Sequence, residues 1–296
     1  MFHHFHGGHT QKIWGSLTAD RLAEIIEFVG LERILKPEEW VERCLKGKLK
    51  EDDICITFDD CLLSQFEIAM PVLESYNLKA FFFIYSAPFF GELNRLELYR
   101  FFINRFFLDF NDFWEVFLSF NSPYRLIIQK AVEQFDGNYL KDFPIYSYKE
   151  RAWRYVRDVI LKREQYEKIM DGLIAGYTEL DLLAQNIWMT NRHLQKLQKL
   201  GNLIGLHSYS HPTAMSLLSK EEQRKEYKRN FNHLSKEFFL PYLTASHPSS
   251  SYNKDTLNVL KDIGVLIAFS ATMKTAGRGR YELPRQEQRY VQEVML

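Results

Sequence analysis

The sequence predicts an α/β fold, and three observations carry that prediction. Ile54 to Phe58 are five consecutive apolar or β-branched residues, the composition of a short strand buried on both faces. Lys79 to Ser86 (Lys-Ala-Phe-Phe-Phe-Ile-Tyr-Ser) is a second such run. Between the two, Ile68, Val72 and Leu73 fall on one helical face, so Asp53 to Ser86 reads as one β-α-β unit.

Two carboxylates, Asp59 and Asp60, arrive together at the end of the first run. Parallel α/β folds place catalytic groups at the C-terminal rim of their strands. A solvated turn with one aspartate capping the next helix is the plainer alternative. A second stretch shifts the balance: Gly205-Leu-His-Ser-Tyr-Ser-His-Pro212 follows the apolar run Leu203 to Leu206 and sets His207 and His211 four residues apart. Two histidines and a carboxylate make an open zinc site with a position left for water. A lone histidine pair is more often surface or core than ligand. A pair after one apolar strand, with Asp-Asp after another, is much less often accidental.

Thr57-Phe58-Asp59-Asp60 together with His207-Ser208-Tyr209-Ser210-His211 resembles the first two signature motifs of the polysaccharide deacetylase family (carbohydrate esterase family 4, the NodB-homology domain). The resemblance covers Met1 to about Ser86 and about Trp188 to the C-terminus. It implies a distorted (β/α) barrel over residues 1–86 and 187–296, with residues 87–186 as a helical insertion. It implies a metal-dependent N-deacetylase acting on an N-acetylated amino sugar or polysaccharide precursor, free or carrier-linked. Asp60, His207 and His211 then hold a divalent metal, expected to be zinc, and Asp59 is the base. An N-deformylase, a non-catalytic sugar-binding relative and a hydrolase of small cyclic amides are the alternatives.

Three departures from the family pattern carry expectations of their own. Cys61 stands where the motif usually has Gly, and is read as a small packed thiol rather than a ligand. The third motif appears as Ser246-His-Pro-Ser249, without the arginine that braces the catalytic aspartate. The backbone N–H near Ser249 is then the candidate oxyanion donor and His247 a candidate for the pocket wall. The C-terminal histidine motif that supplies the general acid is missing, and Glu282-Leu-Pro-Arg285 occupies its region. Arg285 is the candidate replacement for the arginine. In some branches of the family a first-strand Tyr-His or Phe-His places a histidine in the active site. Phe2-His3 fits that pattern, so His3, before His4 or His6, is the expected acid.

The whole chain sets bounds. Its 296 residues can bury a sizeable core, and 46% apolar with 26% charged residues is a globular composition. Lys plus Arg and Asp plus Glu both count 38, so no net charge points to nucleic acid or an anionic membrane. Cys44, Cys55 and Cys61 are odd in number and do not form a disulfide framework. No signal peptide and no apolar run of transmembrane length is read, which gives a cytoplasmic expectation and a small or precursor sugar as substrate.

Along the chain, Met1 to His6 reads as a first strand ending at Gly7-Gly8, with Met1, His3 and Phe5 on one face. Helices are expected after Ser16–Asp20, from Lys36-Pro37, from Thr190, from Glu221 to Phe239, and from Asp255 to Ile263 before Gly264. Short strands are expected at Leu243–Ala245 and Val265–Ser270. From Ala87 to about Asn186, Phe, Tyr and Trp recur at helical spacing around a break at Phe135–Tyr148. This insertion could cover the active site, bind an apolar carrier chain or make a dimer face; it is expected to shape substrate choice without supplying a catalytic residue.

Overall fold

The computed structural model describes residues 1–141, 146–275 and 278–295; residues 142–145, within the break read at Phe135–Tyr148, lie outside them. The chain divides into two compact units, Met1–Asn94 with Asn186–Leu296, and Arg95–Gln185. The 3₁₀ turn Ala87–Phe90 stays with the first unit.

The first unit begins with an irregular segment rather than the strand expected at Met1–His6. Phe2 makes a parallel bridge to Phe58, and Phe5 makes one to Leu17. The chain changes partner between them, so the two-residue alternation is lost. Phe2 and Phe5, expected on opposite faces, both enter the core with ring centroids 6.2 Å apart. Helix α1 (Ala19–Val29) is capped by Thr18, whose side chain accepts from Arg21 N–H. Helix α2 (Pro37–Leu45) starts with proline at a position where no backbone donor is needed. Strand β1 (Ile56–Asp59) is followed by one π-helical turn, Gln65–Ala69, that runs into α3 (Met70–Ser75) and then β2 (Ala80–Ile84).

The second unit is all helix: α4 (Arg95–Phe106), α5 (Phe110–Ser119), α6 (Arg125–Glu133), α7 (Tyr148–Tyr155), α8 (Arg163–Ala175) and α9 (Leu180–Ala184). Its aromatic stripes pack on one another. Phe113, Phe117, Trp153 and Tyr166 are buried, with Phe113 edge-on to Trp153 at 5.7 Å. Tyr99 O–H donates to Asp171 at 2.8 Å, and Arg95 pairs with the same carboxylate.

The chain returns to the first unit through α10 (Asn191–Lys199), β3 (Leu203–Leu206), α11 (Lys220–Glu237), β4 (Thr244–Ser246), α12 (Lys254–Ile263), β5 (Ile267–Phe269) and α13 (Gln288–Val294). The five strands form one parallel sheet in sequence order. Every strand residue is buried, as parallel strands covered on both faces require. One face sends Phe58, Phe82, Ile84, Leu206 and Ala245 into the core beneath the helices. The other curls around Phe81, Phe83, Leu203, Ile267 and Phe269, covered by Trp40. The register sets Asp59 beside Phe83, and Phe83 beside Gly205, on this concave face. Beyond the sheet edges, Leu283 bridges to Phe269 and Gln288 N–H donates to Met1 O at 3.2 Å, which closes the ring into a distorted barrel.

Gly205 marks the tightest part of that interior. A Cβ there would lie 2.6 Å from the Phe83 ring and 2.7 Å from Thr244 Oγ1. Only glycine fits between the neighbouring strands at this level.

Candidate metal centre

β1 delivers Asp59 into the barrel mouth by ordinary strand alternation. The next two residues break the pattern: Asp60 (φ 77°) and Cys61 (φ 58°) are both left-handed. This turn is uncommon for non-glycine residues, and it swings the Asp60 carboxylate to the same rim as Asp59. Cys61 stands where the family pattern has Gly. Its thiol is fully buried in the main core, and burial pushes its pKa up, so it is inert packing.

β3 delivers His207 beside β4. The loop that follows is left-handed at Ser208 (φ 66°) and His211 (φ 56°), which folds the second imidazole back onto the first. The two ring centroids lie 4.9 Å apart. His207 Nε2 is 3.3 Å and His211 Nε2 3.2 Å from Asp60 Oδ1. One ligand atom from each of these three residues lies within 4.8 Å of the others.

The donor set fits a cation. His207 Nδ1 is 2.9 Å from the Ser246 carbonyl oxygen, which can only accept, so the ring proton sits on Nδ1 and Nε2 presents a lone pair. Asp60 Oδ1 is buried and has no hydrogen-bond partner. A lone pair facing a buried carboxylate oxygen is repulsive unless a positive charge lies between them. Ligand atoms around tetrahedral zinc lie about 3.4 Å apart, given metal–ligand lengths near 2.1 Å. The observed 3.2 and 3.3 Å match that spacing.

Asp59 has a different environment. Arg285 donates to both its oxygens, at 2.8 and 2.7 Å, and to Ser246 Oγ at 2.6 Å. Ser246 O–H in turn donates to Asp59 Oδ2 at 3.1 Å. Burial alone would raise the Asp59 pKa, but Arg285 and His207 together carry it well below the usual carboxylate range. Asp60 is likewise held far down against its burial, chiefly by the charge of His211. Arg285 therefore sits as the brace of Asp59.

In the first segment, His3 lies beside the cluster. Its Nε2 is 3.9 Å from Asp60 Oδ2, and burial pushes its pKa down to about 4 against the pull of Asp60 and Asp59. His6 bonds Ser16 Oγ instead, at 2.8 Å. His247 is 1% exposed. It stacks on Tyr252 and donates from Nε2 to the Tyr281 carbonyl at 2.8 Å, so it is a buried structural ring rather than an open wall. Ser249 is exposed on a left-handed backbone (φ 51°) just after β4.

Two groups have no counterpart in the sequence reading. On α11, Glu226 accepts from Tyr209 N–H, Ser210 N–H and Ser210 Oγ at 3.0, 2.8 and 2.8 Å. One turn later Asn230, fully buried, accepts from His207 N–H at 3.0 Å. Both lie in a helix that reads as charged and amphipathic, where a buried polar side chain looks the same as a solvated one. Tyr85 and Trp188 were also without a role. The Tyr85 ring lies 5.5 Å from the His211 ring and its hydroxyl accepts from Trp188 Nε1–H.

Comparison with known proteins agrees with this geometry. The polysaccharide deacetylase family model matches residues 182–268, the span that carries His207 and His211. The match covers that span alone, and the rest of the chain resembles the polysaccharide deacetylases in fold. Its fold is the NodB-type distorted barrel. The deacetylase PplD of Streptococcus pyogenes in complex with acetate superposes with a TM-score of 0.56 at 12% identity, over 99% of this chain and 94% of that one. IcaB from Ammonifex degensii gives 0.52 at 10%, over 99% and 92%. A de-N-acetylase from Aggregatibacter actinomycetemcomitans gives 0.52 at 12%, over 100% and 97%. At these identities the likeness is one of fold. No curated protein sequence matches the chain. Among the described residues no helix is long and apolar enough to cross a membrane.

Proposed function

We propose that this chain is a metal-dependent amidase that removes the N-acetyl group of an amino sugar, with Asp60, His207 and His211 as metal ligands. The observation that carries the reading is Asp60 Oδ1: a buried, unpartnered acceptor facing the lone pair of His207 and the Nε2 of His211. A divalent cation bound there supplies Lewis acidity toward a water and the amide carbonyl. Asp59, ionised throughout the working pH range and fixed by Arg285, orients that water as an acceptor and receives its proton as charge develops. His3, across Asp60 from the histidine pair, gives a proton to the departing amine. Its low pKa makes it neutral at rest, so the proton it gives to the amine is the one Asp59 takes from the water, passed on within the same turnover. The backbone N–H near Ser249 is the candidate donor to the oxyanion. Acetyl is preferred to formyl because the structural neighbours are named as deacetylases.

The test measures acetate and formate released from N-acetylated and N-formylated amino sugars, with zinc content determined on the same protein. Acetate release that His211→Ala abolishes together with the zinc is the expected result. Formate alone would make it a deformylase. Metal content unaffected by His211→Ala would overturn the site.

A further inference from the structure

β2 and β3 pair through Ile84 and Leu206, the last ladder position before the barrel mouth. One more backbone bond follows, His207 N–H to Ile84 O at 3.1 Å, and both of its groups are shared with a side chain. The Asn230 amide lies beside that bond. Its Oδ1 accepts from His207 N–H at 3.0 Å, while Nδ2 donates to Ile84 O at 2.9 Å and Ser86 Oγ at 2.7 Å. The side-chain amide thus reinforces the last backbone bond between the two strand ends and holds them at a fixed spacing. Asn230 is fully buried, so every one of these bonds is made without competition from water.

The result is a grip on His207 from both ends. Asn230 fixes its backbone, and the Ser246 carbonyl fixes its ring. Between those anchors the imidazole has little freedom of direction. Glu226 lies four residues before Asn230, on the same face of α11, and one carboxylate takes three donors from Tyr209 and Ser210. That carboxylate closes the loop from His207 to His211. His211 N–H itself donates to Ser208 Oγ at 3.1 Å. The left-handed turns at Ser208 and His211 are strained for non-glycine residues and persist only where surrounding bonds hold them.

We propose that Asn230 and Glu226 are positioning residues for the metal centre: α11 sets the directions of His207 and His211, and through them the affinity for the ion, without touching it. The inference rests on the metal reading above and goes further, because it assigns the affinity of the site to a helix outside the ligand set. Groups that orient metal ligands are worth about 10–100-fold in metal affinity.

The same sheet contains its own control. Asn202 is an equally buried asparagine at the opposite end of these strands, accepting from Ala80 N–H at 2.9 Å and donating to Leu197 O at 3.0 Å. It does the same structural work at the opposite end of β3 from His207.

The experiment titrates zinc against a chromophoric chelator into metal-free wild type, Asn230→Ala, Glu226→Gln, Asn202→Ala and His211→Ala, with a thermal melt of each metal-free protein. Asn230→Ala is expected to bind zinc about 10–100-fold more weakly than wild type, and Glu226→Gln more weakly by a smaller factor. Asn202→Ala should melt earlier than wild type yet keep wild-type affinity. Wild-type affinity in both Asn230→Ala and Glu226→Gln would overturn the proposal, as would an equal loss in Asn202→Ala, which would make the effect one of general stability. Should Asn230→Ala not fold, Glu226→Gln, altered at a half-exposed position, decides alone. Failure of the metal reading looks different: wild type and His211→Ala would bind zinc equally or not at all.

Discussion

Arg285 holds both carboxylate oxygens of Asp59 from 226 residues away in sequence, at 2.8 and 2.7 Å. Both side chains are nearly inaccessible, at 4% and 3%. The guanidinium also lies over the Phe83 and Phe269 rings, with its carbon 5.6 and 5.8 Å from their centroids, so the floor of the barrel supports it. Removing one partner of such a pair leaves the other charged and buried. Arg285→Ala is therefore expected to lower unfolding free energy by about 3–5 kcal/mol. The double variant Asp59→Asn/Arg285→Ala should regain part of that. Urea denaturation of the three proteins checks it, and a single variant as stable as wild type would show that the pair holds nothing.

The two neighbouring aspartates should separate in a metal assay. Elemental analysis is expected to find one divalent ion per wild-type chain, none in His211→Ala, and one in Asp59→Asn with turnover lost. Asp59 Oδ2 is 4.0 Å from His207 Nε2, farther than the 3.3 Å of Asp60, and is already occupied by Arg285 and Ser246. If Asp59→Asn loses both metal and turnover, the roles of the two carboxylates are reversed.

Gly205→Ala places a methyl group 2.6 Å from the Phe83 ring and 2.7 Å from Thr244 Oγ1. Neither neighbour is the free end of a flexible chain. Overpacking of this kind costs about 1–3 kcal/mol. A thermal melt should show the loss, and an unchanged midpoint would mean that β2 and β4 can part without strain.

The fold was legible where composition dictates it. Runs such as Ile54–Phe58 and Lys79–Ser86 have no polar face, so they must be covered on both sides, which only a parallel sheet inside a layer of helices allows. The opening segment was misread because alternation assumes one partner along a strand, and Phe2 and Phe5 have two. At the site, Asp59, Asp60, His207 and His211 announce themselves by residue type next to an apolar run. Arg285 was noticed only as a possible stand-in for an absent motif, since nothing local to Glu282–Arg285 points to Asp59. Asn230 and Glu226 gave no signal: their partners are backbone N–H groups of a loop, and a sequence does not show which loop a helix faces.

His247 predicts a pH dependence of stability. Burial pushes its pKa down to about 4, despite the bond to the Tyr281 carbonyl. The folded protein therefore favours the neutral ring, while the unfolded chain takes up a proton near the ordinary value of about 6.5. A depressed folded pKa stabilises fully above the unfolded value, and the contribution is lost as pH falls toward about 4. His3 is shifted in the same direction, so the wild type alone does not isolate the effect. His247→Gln keeps a donor for Tyr281 and removes the titration. Its stability deficit against wild type should narrow by about 2–3 kcal/mol between pH 7 and pH 4. A deficit constant across that range would show that His247 does not titrate differently on folding.

The last prediction concerns the proton that the departing amine needs. An amine leaves poorly without one, and the family's C-terminal histidine motif is missing here. His3 is placed to supply it, with Nε2 3.9 Å from Asp60 Oδ2, on the oxygen that faces away from the His207 and His211 contacts. It lies outside the group of three that converges on one point, so its loss should leave the ion in place. His6 is engaged with Ser16 Oγ, and His247 is closed off beneath Tyr252. His3→Ala is therefore expected to lower turnover by about 10²–10⁴-fold with zinc content unchanged. His6→Ala should leave turnover close to wild type. Because desolvation keeps the resting imidazole neutral, His3→Gln, which donates a hydrogen bond but transfers no proton, should be nearly as impaired as His3→Ala. Full activity in His3→Gln would reduce His3 to a hydrogen-bonding role, and full activity in His3→Ala would place the acid on another residue.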